Sequence, residues 1–264
     1  TNLLEALSFL SPGRGMRGAK VMEVQCQQAP QNSSGPWAVS ATINTGYGDV
    51  QIGTGLDSQK GKRTIRIQGE PVKSQAALGD HVACVWLTPQ MDRLFLDSAR
   101  ERRKFLDRLV FAFDPGHSGR TTRYENAMRQ RSKLLQEGGE AVWLDSLEAQ
   151  MAETAVAIAA ARLDFVERLQ AACNQSETAH FPLSQLSARG TLEELLKTAP
   201  ALEVEDMFKY QLKESRGVDM QTGGAATGPH KSDLAVRYAA KDMPADQCST
   251  GEQKALLVSL ILAN

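Results

Sequence analysis

The sequence predicts an α/β protein in which segments from both ends of the chain form a mixed β lobe and the middle forms an inserted helical lobe. Residues 37–68 alternate apolar and polar side chains, as strands do, and Leu234–Tyr238 is a further strand candidate. The long stretch between them repeats apolar side chains at helical spacing. We therefore divide the chain into an N-terminal part of the β lobe (1–95), a helical lobe (96–216) and a C-terminal part of the β lobe (217–264).

The first segment is predicted to begin with a helix and to continue as strands. Leucines at helical spacing predict a helix over 3–10, which ends where Pro12 and its neighbouring glycines follow. "WAVSATIN", "DVQIGTGL" and "RTIRIQG" predict antiparallel strands joined through turns at Gly46–Asp49 and Ser58–Gly61. The nearly continuous apolar run Val82–Pro89 predicts a buried strand.

The middle segment is predicted to be helical throughout. "SARERRKFLDRLVFAF" and "RYENAMRQRSKLLQE" are amphipathic, and shorter helices are expected around "TLEELLKT" and "EVEDMFKYQLKES". The longest helix runs from about Trp143 to Cys173 and would span about 45 Å. Its apolar stripe is most simply core packing.

Composition excludes several classes of protein. The net charge of -1 gives no overall basic field for nucleic acid, although local basic clusters remain. The four cysteines are far apart, as expected for thiols in a reducing cytosol, and we predict a cytoplasmic protein. The first ten residues do not resemble a signal peptide, and no apolar run reaches the length of a membrane helix. The histidines have no metal-ligand spacing.

The two ends of the sequence carry the clearest candidate sites. Ser249 lies three residues before Glu252, which is the spacing of a capping box, and Gly251 leaves the backbone of that turn open. Such a turn either binds an anion at the helix N-terminus or simply caps a core helix. Thr1 either caps the first helix or follows a phosphate-binding loop. From the abrupt helical pattern at each end we expect an internal segment of a longer protein.

Four sequence blocks point to one family. "TNLLEALSFLSPGRGMRGA", "WLTPQMDRLFLDSARERRKFLDRLV", "TGPHKSDL" and "STGEQKALLVSLILA" together resemble the RecF family of bacterial DNA repair proteins, in an alphaproteobacterial-like form. The resemblance runs from Thr1 to Asn264. It implies an ATPase head of the ABC type, related to SMC proteins, with an ATP-binding lobe and a helical lobe.

The resemblance also implies roles for individual residues. Thr1 would ligate Mg²⁺ at the end of the Walker A loop, and Gln90 would be the Q-loop residue. The signature motif would bind the γ-phosphate of ATP held by the other subunit, and it consists of Ser249, Thr250, Gly251 and Glu252. The glycines and lysine of the P-loop and the Walker B strand do not occur in this sequence. We therefore expect the 264-residue chain alone not to hydrolyse ATP, and the full-length protein to be a slow DNA-dependent ATPase.

Basic residues are the candidates for DNA contact. "RERRKFLDR" contains Arg102, Arg103 and Lys104, which are either phosphate contacts or a solvated helix face. Arg14 and Arg17 in "PGRGMRG" are further candidates, with the solvated interpretation preferred. His230 in "TGPHKSDL" is either a hydrogen-bond partner in a turn or, by resemblance, a residue facing nucleotide or an interface.

The function implied by the resemblance is ATP-dependent DNA binding in replication and recombinational repair. An ATP-dependent homodimer would recognise gapped duplex, including junctions of single and double strands, and help recombinase load on single strands together with recombination mediator proteins. The alternative is a non-catalytic helical scaffold with a small β-rich base. A different SMC-type head is a weaker alternative, because the longest predicted helix is too short for the coiled coil of those proteins.

Overall fold

The computed structural model describes residues 2–24, 36–175 and 181–264. The chain divides into two compact units, Thr1–Trp86 and Leu87–Asn264, and each is described here by itself. The three-segment division expected from the sequence stays a prediction.

The N-terminal unit is a short helix followed by an antiparallel sheet whose strand order is the chain order. Among its described residues the elements are α1 (Asn2–Ser8), β1 (Ala38–Thr45), β2 (Gly48–Asp57), β3 (Lys62–Ile67), β4 (Glu70–Val72) and a 3₁₀ helix (Gln75–Asp80). Alternate side chains of the strands pack on one face, where Leu10, Ile52, Ile65 and Leu78 form a buried core. The three strands predicted within residues 37–68 are confirmed, and so are their turns: Gly46–Tyr47, within the predicted Gly46–Asp49, and Ser58–Gly61 connect the paired strands.

The strand predicted at Val82–Pro89 is wrong. Residues 82–88 have no regular secondary structure, and a 3₁₀ helix, Pro89–Arg93, begins where the apolar run ends. The run is also only half-buried. A strand is stable when its backbone groups pair with a neighbour, and no described strand pairs with these residues.

The second unit contains the helices and a small sheet. Among its described residues the elements after the 3₁₀ helix Pro89–Arg93 are α2 (Ala99–Phe113), α3 (Gly116–Gln136), α4 (Ala141–Gln175), β5 (Ser184–Arg189), α5 (Thr191–Leu196), α6 (Ala201–Glu214), α7 (Arg216–Thr222), β6 (Asp233–Tyr238), β7 (Met243–Pro244) and α8 (Thr250–Ala263), with short 3₁₀ helices at Ala239–Lys241 and Ala245–Gln247. The predicted helices are confirmed. The long helix α4 has 35 residues and so spans about 52 Å.

Helix α4 is the centre of the second unit, because it contacts α2, α3, α5, α6 and α8. Its buried residues Met151, Ala155 and Ile158 belong to one core with Val204 and Phe208 of α6. The interpretation of the stripe as core packing is therefore confirmed. The stripe also contains a buried arginine, Arg162, whose partners are described with the site.

The small sheet has the order β5-β6-β7 and is antiparallel. The strand candidate Leu234–Tyr238 is confirmed as β6, and Leu186 of β5 lies opposite Val236. The sequence analysis did not predict β5, because "SQLSAR" contains few apolar residues. Its buried positions are instead the small residues Ser184 and Ala188, which fit against neighbouring elements.

The helical core encloses a network of buried charges. The guanidinium of Arg131 on α3 is fully buried and donates to Glu148 Oε1 of α4 and to Asp219 Oδ2 of α7, each at 2.8 Å. It also donates to the backbone oxygen of Leu212 at the end of α6, at 2.6 Å. One side chain therefore ties four helices together.

Candidate functional site

The turn before α8, Ser249–Glu252, is called the signature turn below and has the geometry predicted from its sequence. Ser249 is the N-cap: its hydroxyl accepts a hydrogen bond from the amide of Glu252, and the Glu252 carboxylate accepts one from the Ser249 amide at 2.9 Å. The first intrahelical bond is donated by Gln253 to the Ser249 oxygen. The amides of Thr250 and Gly251 thus precede the hydrogen-bonded part of the helix, and both residues are exposed.

The turn is held rigidly although its surface is open. Gln253 is buried, and its side-chain amide donates to the backbone oxygen of Cys248 at 2.9 Å. Leu256, Leu257 and Leu260 anchor the buried face of α8. A Cβ added at Gly251 would meet no atom within 4 Å, so the glycine leaves open space in front of the first turn. A fixed turn with forward-pointing amides is suited to binding an anion.

Two lysines flank this turn. Lys241 forms an ion pair with Glu252, and Lys254 bonds to Asp92 Oδ2 at 3.0 Å. The Lys241 ammonium, together with hydrogen bonds from Ser249, lowers the pKa of Glu252 to about 2. The carboxylate is therefore charged at neutral pH and lies folded against the cap. An incoming anion would meet this negative charge as well as the helix amides.

Asp92 belongs to the 3₁₀ helix Pro89–Arg93, which packs against α8. Gln90 lies in that helix with an exposed side chain. Within the second unit, the structure therefore brings the segment containing Gln90 next to the helix that carries Ser249–Glu252.

Proteins from several bacteria match this chain along its whole length. It is 46% identical over 268 residues to the DNA replication and repair protein RecF of Mesorhizobium japonicum, 45% identical over 268 residues to that of Agrobacterium fabrum and 43% identical over 272 residues to that of Caulobacter vibrioides. Each match covers 100% of this chain and 70% of the relative. The chain belongs to the RecF family.

Solved RecF structures have the same fold. A structure of the recombination mediator protein RecF-ATPrS in the RecFOR pathway matches with a TM-score of 0.85 at 20% identity, over 99% of this chain and 70% of that one. The corresponding RecF-ATP structure matches with a TM-score of 0.83. The predicted ABC/SMC-type head fold is confirmed by this likeness, and no family model matches the chain.

One further candidate residue lies outside the described part of the chain, and two lie in the N-terminal unit. Thr1 lies outside the described residues, so its expected role as a Mg²⁺ ligand stays a prediction. Arg14 and Arg17 lie on the surface of the N-terminal unit, and Arg17 is 3.9 Å from Glu5. Within the described ranges, no cluster of three His, Cys, Asp or Glu side chains is arranged to hold a metal ion.

The basic residues on α2 mainly bond to other residues of the same chain. Arg102 forms a two-pronged ion pair with Asp233 at 2.7 and 2.8 Å, and Arg103 donates to the Ser232 oxygen at 2.5 Å. Lys104 is exposed and pairs with Glu101 on the same helix. Arg102 and Arg103 therefore attach β6 to α2, and of the three only Lys104 projects fully to the surface.

His230 is bonded within the chain, which agrees with the interpretation as a turn-stabilising partner. Its Nε2 bonds the Ala225 oxygen at 2.9 Å, and its Nδ1 accepts from the Tyr124 hydroxyl at 2.8 Å. Burial lowers the pKa of His230, so the ring is neutral at physiological pH. The sequence analysis missed Lys241 and Lys254 because an ion pair between separate elements leaves no local spacing signal.

Among the described residues no helix is both long enough and apolar enough to cross a lipid bilayer.

Proposed function

We propose that this RecF-family protein acts in DNA replication and recombinational repair as an ATP-dependent, DNA-binding homodimer. It recognises gapped DNA and promotes loading of a recombinase on single strands, together with recombination mediator proteins. Family membership supports the role in replication and repair. The names of the structural neighbours, which describe RecF with ATP and an ATP analogue in the RecFOR pathway, support the nucleotide and the pathway. We also propose that the protein is cytoplasmic.

The signature turn is the observation that carries the nucleotide part of this proposal. Ser249 presents a hydroxyl, and Thr250 and Gly251 present amides, all on an exposed surface at the N-terminus of a 14-residue helix. The helix dipole favours negative charge at that end. These groups suit a phosphate that arrives from outside the chain, and we assign them to the γ-phosphate of ATP held by a second subunit.

ATP supplies the triphosphate that joins the two subunits and the phosphoryl group that is transferred to water. In the proposed dimer, Ser249, Thr250 and Gly251 would hold the oxygens of the γ-phosphate of the other subunit's ATP, and Gln90 would sense the γ-phosphate and the metal. We place Thr1 as a ligand of Mg²⁺. Two such contacts in each dimer make subunit association depend on nucleotide, because a ligand that binds only the dimer stabilises it by mass action.

For DNA we propose a sequence-independent contact through phosphate groups. Lys104, Arg14 and Arg17 are the exposed members of the predicted set. Lys104 pairs with Glu101 and Arg17 lies 3.9 Å from Glu5, but exposed pairs of this kind are weak, so a phosphate can replace the carboxylate. Arg102 holds Asp233 and contributes to DNA binding only by fixing α2 to β6. Replacing Lys104 by Gln should weaken binding to every DNA sequence equally and should lower the salt dependence of binding by about one counterion.

The test of the nucleotide assignment is dimerisation of the complete gene product with and without ATP, compared between wild type and Ser249→Arg. The arginine fills the space in front of the first turn, so we expect ATP to tighten the wild-type dimer and to leave the variant unchanged. Ser118→Arg is the matched control, since Ser118 is an exposed serine of the same unit and the substitution adds the same charge. Equal ATP-driven dimerisation of Ser249→Arg and wild type would refute the assignment.

A further inference from the structure

The helical part of the second unit contains an open cavity of about 360 Å³ that the signature turn does not line. It lies between α2, α3, α4 and the loop that precedes β6. Five cationic side chains line it: Arg100, Arg103, Lys104, Arg129 and Arg162. The carboxylates among its lining residues are Asp107 and Glu125. The lining therefore has an excess of three positive charges.

Some of these cations already have carboxylate partners. Arg162 forms a two-pronged pair with Asp107 at 2.8 and 2.9 Å, and Lys104 pairs with Glu101. Among the described residues, no ion pair involves Arg100, Arg103 or Arg129. Arg100 and Arg103 lie three residues apart on α2 and so face the same side of that helix. Arg129 approaches from α3.

Arg103 is the most constrained of the unpaired cations. One of its amino groups donates to the Ser232 oxygen, which fixes the guanidinium at the wall of the cavity. Burial, followed by repulsion from Arg162, lowers the pKa of Arg103. Nearby Asp233 and Asp107 offset this lowering only in part. A partly buried cation that forms no ion pair is unfavourable, and an anion in the cavity would relieve this.

The remaining walls are fixed and partly apolar. Met128 and Ile158 contribute apolar surface, and Pro229 closes the cavity from the loop before β6. Arg162 holds this loop by donating to the Pro229 oxygen at 2.7 Å. Gly228 has a φ of +132°, and a Cβ there would collide with the Tyr124 hydroxyl, so the loop backbone lies close against α3. The cavity is thus preformed, and the block "TGPHKSDL" forms one of its walls.

We propose that this cavity binds the phosphate group of a nucleotide, with Arg100, Arg103 and Arg129 contacting the phosphate oxygens. Guanidinium groups match phosphate because their paired N–H donors face its oxygens, and three of them converge here from two helices. The apolar wall suits the flat ring of a base, and the volume lies in the range of small-ligand sites. The nucleotide is either free or part of a DNA strand, since both present the same phosphate chemistry.

The test compares the double variant Arg100→Gln/Arg103→Gln with the matched control Lys133→Gln/Arg168→Gln. The control removes two exposed cations of the same unit that do not line the cavity. Deoxyadenosine monophosphate and a short DNA duplex are titrated separately, without ATP. The side-chain Nε–Hε NMR signals of Arg100 and Arg103 report on the cavity alone, which separates it from any other nucleotide site.

We expect the cavity double variant to lose binding by about tenfold for each arginine removed, and the control double variant to bind as wild type does. If the cavity double variant binds the monophosphate more weakly than wild type does, the ligand is a free nucleotide. If the cavity double variant binds only the duplex more weakly than wild type does, and its salt dependence falls by about two counterions, the ligand is a DNA phosphate. Arg100→Glu is the second variant, because Arg100 is exposed and we expect its replacement to leave the fold intact.

Either of two results would overturn the proposal: unchanged binding of both probes by the cavity variants, or equal losses in cavity and control variants. The outcome is independent of the signature turn, since Ser249→Arg should leave monophosphate binding at the cavity unchanged.

Discussion

Replacing Arg131 by Met tests how the helices of the second unit are held together. Arg131 is fully buried and donates to Glu148, Asp219 and the Leu212 oxygen at distances between 2.6 and 2.8 Å. Methionine replaces the aliphatic stem of the arginine side chain and carries neither the charge nor the N–H donors. The substitution therefore removes the shared cation and leaves two buried carboxylates behind.

The loss of stability follows from what each carboxylate retains. Breaking a buried ion pair by removing one partner costs about 3–5 kcal/mol. Glu148 keeps two bonds from Arg216, at 2.9 and 2.5 Å. Asp219 keeps the Ser215 hydroxyl at 2.6 Å and the Ala226 amide at 3.1 Å. Because neither carboxylate is left without a donor, we expect the lower end, about 3 kcal/mol, which corresponds to a melting temperature lower by roughly 6–12 °C.

The assay is urea unfolding followed by circular dichroism, with Arg168→Met as the control. Arg168 pairs with Asp164 at 2.9 Å on the exposed side of the long helix α4, so its removal should cost under about 1 kcal/mol. A double variant, Arg131→Met with Asp219→Asn, should recover part of the loss because one stranded charge is gone. Equal destabilisation by Arg131→Met and Arg168→Met would refute the view that the network holds the helices together.

Three further predictions concern single residues. Glu252→Gln keeps a cap but removes the negative charge beside the amides of Thr250 and Gly251. The ATP-dependent dimer should therefore tighten severalfold in sedimentation assays. Unchanged or weaker dimerisation would contradict this. Although burial alone would raise the pKa of Asp107, hydrogen bonds from His117 and Arg162 outweigh it and lower the pKa overall. Its contribution to stability is therefore full above the unfolded pKa near ~4 and is lost as the pH falls through the lower folded pKa. The destabilisation measured for Asp107→Asn should therefore shrink in acid. A difference in unfolding free energy that stays constant with pH would contradict this. Gly228→Ala should lower the unfolding free energy by at least about 1 kcal/mol because of its positive φ and its contact with Tyr124, whereas the exposed Gly119→Ala should not.

Local patterns made most of the fold predictable. The helices follow from apolar periodicity, and the hairpins of the N-terminal unit follow from turn residues such as Ser58–Gly61. The signature turn was also predictable, because a capping box depends only on residues three positions apart. By contrast, β5 was not predicted because it carries few apolar residues. The apolar run Val82–Pro89 was wrongly predicted to be a strand, because no described strand pairs with it.

Pairings between distant parts of the chain were not predictable. Arg102 was a candidate for DNA contact on composition, but its partner Asp233 lies 131 residues further along. The same holds for the link between Tyr124 and His230. A basic run shows how many charges a helix carries, whereas only the fold shows which of them are already neutralised.

The most direct measurement of the signature turn's role is cross-linking with an ATP derivative that carries a photoreactive group on its γ-phosphate. The complete gene product is mixed from isotopically light and heavy subunits, with the light subunits altered so that only the heavy subunits retain nucleotide. We predict that the label is found on the light peptide containing Ser249–Glu252, and that Ser249→Arg in the light subunit abolishes it. Label confined to the heavy subunit, or on a light peptide remote from this turn, would contradict the assignment.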